Sequence, residues 1–210
     1  CRGTANLFHN MAFSIYQIKP QFQALLRPLV QWLARVGVTA NQVTVFACVL
    51  SVALGLGLYH WPLREAFALV PLWMFLRMAL NAVDGMLARE HGQKSKLGAF
   101  LNEITDVLAD AALYLPFAVV APFSAFWVGA VVLLSAMSEL TGVLGQTVGA
   151  SRRYDGPMGK SDRAFVFGAL ALLVACGFTP HWLAWAIPAM AVLIAWNIVN
   201  RIRQALKEAA

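Results

Sequence analysis

Between residues 77 and 110 the chain places three of its five aspartates, Asp84, Asp106 and Asp110, inside a strongly apolar stretch. An acid at the centre of a membrane helix costs about 2.5–3.5 kcal/mol on insertion scales, so acids kept there point to function. Asn81 and Asp84 are i,i+3 neighbours, and Asn102 and Asp106 are i,i+4 neighbours. On helices each pair therefore occupies one face. Clustered oxygen donors of this kind suit a hard cation, Mg2+ or Mn2+, shared with the phosphates of a substrate. Gly85 and Gly98 leave room for a substrate to approach backbone, and Arg89 can reach a phosphate. The competing reading is a polar seam between helices, its acids paired with Arg77 or Lys96.

The elements that must position these residues are membrane helices. Of 210 residues, 60% are hydrophobic and 12% charged, about half the charge of a soluble domain. Residues 1–11 read as a leader. Residues 12–37 form a juxtamembrane segment, with an interfacial amphipathic helix over 20–35 in which Phe22, Leu25, Leu26, Leu29, Val30 and Leu33 recur at helical spacing. Pro28 is expected to kink it and Gly37 to end it. Residues 38–205 form one domain of six spans, at about 41–60, 64–88, 97–120, 124–148, 163–178 and 181–201. The fold class is all-α integral membrane, six transmembrane helices preceded by the amphipathic helix.

Fourteen of the sixteen Lys and Arg fall on one side of this six-span arrangement, and only Arg64 lies on the other. The positive-inside rule puts both termini in the cytoplasm. The net charge of +6 is then a topology signal and calls for no nucleic-acid partner. Cys1, Cys48 and Cys176 have no pairing or metal spacing. At 1.5 Å per residue, Asp84 comes near the cytoplasmic edge of the second span, and Asn102 and Asp106 lie roughly 7–14 Å inside the same edge on the third. Two adjacent helices thus carry polar groups at one level, facing a cavity open to the cytoplasm.

The run Asp84-Gly85-x2-Ala88-Arg89-x8-Gly98-x3-Asn102-x3-Asp106 resembles the signature of the CDP-alcohol phosphotransferase family, Asp-x2-Asp-Gly-x2-Ala-Arg-x8-Gly-x3-Asp-x3-Asp. Asn41-x2-Thr44 is similar to the family's Pro-Asn-x2-Thr entry to the first span, with Ala40 in place of Pro. The resemblance covers about residues 20–205 and is greatest to a bacterial inner-membrane subgroup. It implies a homodimeric multi-pass enzyme of the bacterial inner membrane with a cytoplasmic active site. It implies a Mg2+ or Mn2+ site at Asp84 and Asp106, with Asp106 the general base, and a CDP site at Asn41, Gly85, Ala88, Arg89 and Gly98. The donor it implies is CDP-diacylglycerol and the product a phospholipid.

Asn81 and Asn102 stand where the family signature has its first and third Asp. An amide carbonyl still ligates a cation but brings no charge. The site then holds one ion or recruits Asp110, one turn beyond Asp106 on the same face; Glu103 is about 100° round the helix from Asn102 and substitutes poorly. The alternative function is a silent homologue that binds CDP-lipid or a partner. Arg152, Arg153, Lys160 and Arg163 flank a Gly/Pro loop. They read either as a pocket for a phosphorylated acceptor such as glycerol 3-phosphate or as topology signals alone. Inositol phosphate and unphosphorylated alcohols remain open as acceptors.

Overall fold

The computed structural model describes residues 15–209, with side chains from Gln21. The leader expected over residues 1–11 lies outside the described residues. Seven α-helices run in order: α1 (Ile15–Arg35), α2 (Ala40–His60), α3 (Leu69–Glu90), α4 (Lys96–Tyr114), α5 (Ala125–Leu144), α6 (Lys160–Ala175) and α7 (Ala186–Ala209). Single 3₁₀ turns extend four of them, at Arg64–Ala68, Leu115–Val119, Gly145–Val148 and His181–Trp185. α1 is already helical at Ile15, five residues ahead of Pro20, and continues through Pro28. A proline removes one backbone donor, and neither one ends this helix.

Each segment expected to span is helical, and four are long and apolar enough to cross a membrane: Ala40–His60, Arg64–Glu90, Ala125–Val148 and His181–Ala209. The other two fall short for physical reasons. α4 carries Glu103, Asp106 and Asp110. α6 has 16 residues, which reach only about 24 Å of a hydrocarbon core about 30 Å thick.

The helix starts are written locally. Thr39 accepts from the Gln42 backbone N–H at 3.2 Å while the Gln42 side chain accepts from the Thr39 N–H at 2.9 Å. This capping box begins α2. Ser95 accepts from the Gly98 N–H at 2.9 Å and begins α4.

Polarity is inverted relative to a soluble fold. Phe46, Phe75, Phe100, Ile104 and Trp196 are exposed, whereas Arg163, Asn197 and Arg201 are buried. Such a surface suits lipid, and such an interior keeps its charges paired. The main core gathers aromatic rings: Tyr114 and Phe167 stack at 3.8 Å, and Phe117 meets Phe67, Phe123 and Phe167 edge-on. A smaller cluster of Val30, Val43, Val83, Met86 and Leu87 joins α1, α2 and α3. α2 crosses α4 at Gly55, where an added Cβ would strike the Ala112 carbonyl. That close approach holds the two helices in register.

Candidate active site

Asp84 is buried on α3, and its Oδ2 takes a hydrogen bond from the Thr44 hydroxyl at 2.6 Å. The same hydroxyl lies 3.0 Å from the Ala40 carbonyl, so its single proton goes to the nearer carboxylate. Thr44 is thus a site residue that the charge pattern missed. Its spacing of three from Asn41 was the available signal.

Asp106 on α4 is the most connected acid. Its Oδ1 accepts from Arg77 at 3.1 Å and from the Asn81 amide at 3.3 Å, while its Oδ2 meets the Lys160 ammonium. α3 and α4 run in opposite directions, so stepping back one turn from Asn81 and forward one from Asp106 brings the next pair together. There Arg77 donates to Asp110 at 2.5 Å. Arg77 therefore pairs with Asp106 and Asp110, not with Asp84. Asp110 is buried against it, and the structure does not bring Asp110 into the set of possible metal ligands. Its charge is engaged by Arg77, and it does not line the cavity that the other acids face.

That cavity, about 1360 Å³, is lined by Asn41, Thr44, Asn81, Asp84, Gly85, Ala88, Arg89, Gly98, Asn102 and Asp106. Every residue of the spaced run thus meets one space. The space beside Gly85 holds the Arg89 guanidinium, 3.0 Å from where a Cβ would lie, and that beside Gly98 holds the Asn41 amide oxygen at 2.8 Å. A side chain at either position would displace a polar group from the cavity wall. Gln93 ties the loop between α3 and α4 to the start of α2, accepting from the Ala40 N–H at 2.7 Å. Phe100, Ile104, Leu108 and Leu140 also line the cavity, and their side chains are exposed on the outer surface. One wall is therefore continuous with the apolar exterior.

The basic residues divide. Arg152 lines the cavity and pairs with Glu103, with Glu139 Oε2 at 3.8 Å from its second nitrogen. Lys160 begins α6 and bonds Asp106 directly, a contact closer to the chemistry than an acceptor pocket. Arg163 is a correction to the acceptor set. It is fully buried, donates to Glu139 at 2.7 Å and to the Met158 carbonyl at 3.1 Å, and does not line the cavity. Arg153 is a second correction, pairing with Asp155 at 2.7 Å and with Glu208 away from the cavity. The hydrogen bond from Arg153 holds the Asp155 carboxyl below its ordinary range. Both corrections have one cause: the acids on α5, on α7 and in the loop, which answer these arginines, are remote in sequence or not implied by any motif.

At the motif positions the carboxylates of Asp84 and Asp106 and the amides of Asn81 and Asn102 line one space, and oxygen donors of this kind suit a hard divalent cation. Among the described residues no group of three His, Cys, Asp or Glu gathers to hold a metal.

Comparison with known proteins agrees with this geometry. The profile of the CDP-alcohol phosphatidyltransferase family matches residues 37–200. The chain is 45% identical over 196 residues to the inner membrane protein YnbA of Escherichia coli (strain K12), covering 92% of this chain and 96% of that one. Two crystal structures of the phosphatidylinositol phosphate synthase of Mycobacterium tuberculosis share the fold at 22% identity. One, with CDP-DAG bound, has a TM-score of 0.72 and covers 85% of this chain and 92% of that one. The other, in complex with manganese and citrate, has a TM-score of 0.71 and covers 85% and 88%. The chain that sets this spaced run of acids and amides around one cavity belongs to the CDP-alcohol phosphatidyltransferase family, and is a phosphotransferase of that kind.

Proposed function

We propose that this chain transfers a phosphatidyl group from CDP-diacylglycerol to the hydroxyl of an acceptor alcohol, releasing CMP, in phospholipid synthesis. The observation that carries the proposal is the double character of the cavity. Its polar floor bears every residue of the spaced run, and its apolar wall of Phe100, Ile104, Leu108 and Leu140 continues into the lipid-facing surface. A nucleotide headgroup fits the floor while the acyl chains stay in the bilayer.

Asn41, Gly85, Ala88, Arg89 and Gly98 are the residues for the CDP moiety, with Arg89 beside the diphosphate. Asp84, Asp106, Asn81 and Asn102 would hold Mg2+ or Mn2+. A cation so bound neutralises charge on the diphosphate and on the departing CMP. Thr44 orients Asp84 by taking up one of its oxygens. Arg77 and Asn81 fix Asp106 through Oδ1, which leaves Oδ2 to the Lys160 ammonium at the edge of the site. When the acceptor hydroxyl replaces the ammonium there, Asp106 takes its proton as general base. The alcohol oxygen forms a bond to the β-phosphorus. The bond from that phosphorus to the CMP oxygen breaks, and CMP leaves with the electron pair.

The setting proposed with this activity is the bacterial inner membrane, the compartment named for the Escherichia coli relative. The 38–205 domain crosses six times, α1 lies along the surface, and both termini and the site face the cytoplasm. The Lys and Arg distribution supports that orientation. A homodimer is proposed from the family resemblance.

The test is CMP release from CDP-diacylglycerol by the purified protein with Mg2+ or Mn2+ across a panel of acceptors. Asp106→Asn is expected to lower release by about 10²–10⁴-fold. Unchanged turnover would remove Asp106 from the role of base. The second reading, a silent CDP-lipid binder, is motivated by Asn81 and Asn102. It gains if the nucleotide lipid binds and no acceptor gives CMP.

A further inference from the structure

Each cation that the sequence offers for an acceptor's phosphate already has a carboxylate. Lys160 has Asp106, Arg163 has Glu139, and Arg153 has Asp155 and Glu208. Arg152 is the member of this group whose side chain lines the cavity, and its partner is Glu103, which lines it too. Arg152 is held in place independently of that partner. Its guanidinium lies 5.0 Å from the centre of the Tyr154 ring, and an oxygen of Glu139, which lines the same cavity, lies 3.8 Å from its second nitrogen. Glu139 in turn is occupied by Arg163 at 2.7 Å and by Arg201 at 3.6 Å. Among the described residues Glu103 meets no charged group but Arg152, so its charge has no second structural duty.

We infer that Glu103 determines acceptor specificity by masking Arg152, so that the cavity takes an alcohol with no net negative charge in preference to a phosphomonoester. The inference rests on the transferase reading of the same cavity. A phosphomonoester brings nearly two negative charges. To reach Arg152 it must displace Glu103 and then sit beside that carboxylate in a partly desolvated space, where like charges repel more strongly than in water. A polyol or an amino alcohol meets no such opposition, and Glu103 gives it an acceptor for a hydroxyl or ammonium hydrogen bond. Selectivity then comes from a repulsive element built into the site.

The experiment uses the full chain in lipid nanodiscs with CDP-diacylglycerol and Mn2+, following CMP release with glycerol against glycerol 3-phosphate and inositol against inositol phosphate. The wild type is expected to favour the unphosphorylated member of each pair by about tenfold or more in kcat/KM. Glu103→Gln is expected to close or invert that gap through KM for the phosphorylated member with kcat little changed, and Glu103→Asp to keep it. A wild type that prefers the phosphorylated member, or a ratio that Glu103→Gln leaves untouched, overturns the inference while leaving the transferase reading intact. If no acceptor gives CMP, the transferase reading fails, and masking is then read from binding alone. Titration of glycerol 3-phosphate into the protein, followed by calorimetry, should show no saturable binding to the wild type. Binding should appear with Glu103→Gln and disappear again with Glu103→Gln/Arg152→Ala. Absence of gained binding in Glu103→Gln overturns the inference in that case also.

Discussion

Arg77 answers two carboxylates from one guanidinium, Asp110 at 2.5 Å and Asp106 at 3.1 Å. Asp110 is thereby part of a polar seam between α3 and α4, whereas Asp106 both joins that seam and lines the cavity. Asn102 carries the sharper question. It lines the cavity as an amide where the family signature has an acid, so the four motif positions bring two carboxylate charges, from Asp84 and Asp106. Restoring the charge with Asn102→Asp is expected to lower the half-saturating Mn2+ concentration for CMP release about tenfold, the equivalent of 1.4 kcal/mol of added attraction. A metal requirement that does not move would remove position 102 from the ligand set.

At the scale of elements, the site depends on where α2 holds α4. Gly55 lets the Ala112 carbonyl come against the α2 backbone, and Gly57, one half-turn on, has open space around it. The two glycines therefore make a matched pair. Gly55→Ala forces a methyl group against the Ala112 carbonyl and is expected to cost about 1–3 kcal/mol. It should also reduce CMP release, since Asn102 and Asp106 ride on the displaced α4. Gly57→Ala should be neutral or stabilising by up to about 1 kcal/mol, as for a helical glycine without a contact. Thermal unfolding of the two variants in detergent checks this. Equal melting temperatures would mean that the crossing at Gly55 is not tight.

At the scale of the molecule, the helices that carry the polar residues also show lipid-compatible side chains, and the Lys and Arg distribution gives the orientation proposed above. In the six-crossing arrangement, Lys94 in the loop before α4 lies on the cytoplasmic side and Phe178 after α6 on the opposite one. In a cysteine-free background expressed in intact bacterial cells, an impermeant maleimide is expected to label Phe178→Cys at once, and Lys94→Cys only after permeabilisation. The reverse pattern would overturn the orientation. Equal labelling in intact cells would overturn the six-crossing count, because that arrangement puts three spans, an odd number, between Lys94 and Phe178. The short α6 and the acid-bearing α4 are the helices on which that count depends.

The amino-acid sequence by itself determined the helices, their starts and their chemistry-bearing faces, because those follow from interactions within a few residues. The Thr39–Gln42 capping box, the Ser95 cap and the i,i+3 and i,i+4 spacing of the amides and acids are all local. It also set which residues share a face, and the apolar excess that puts those faces in a membrane. Tertiary structure decided which face meets which partner. Arg163 turns inward to Glu139, 24 residues away; Arg152 reaches Glu103, 49 away; and Arg77 takes Asp110, 33 away. Helical periodicity gives a side chain's direction around its own axis but not the charge that waits across the gap. An arginine in a basic loop therefore reads the same in sequence whether it faces a substrate or is already held by an acid.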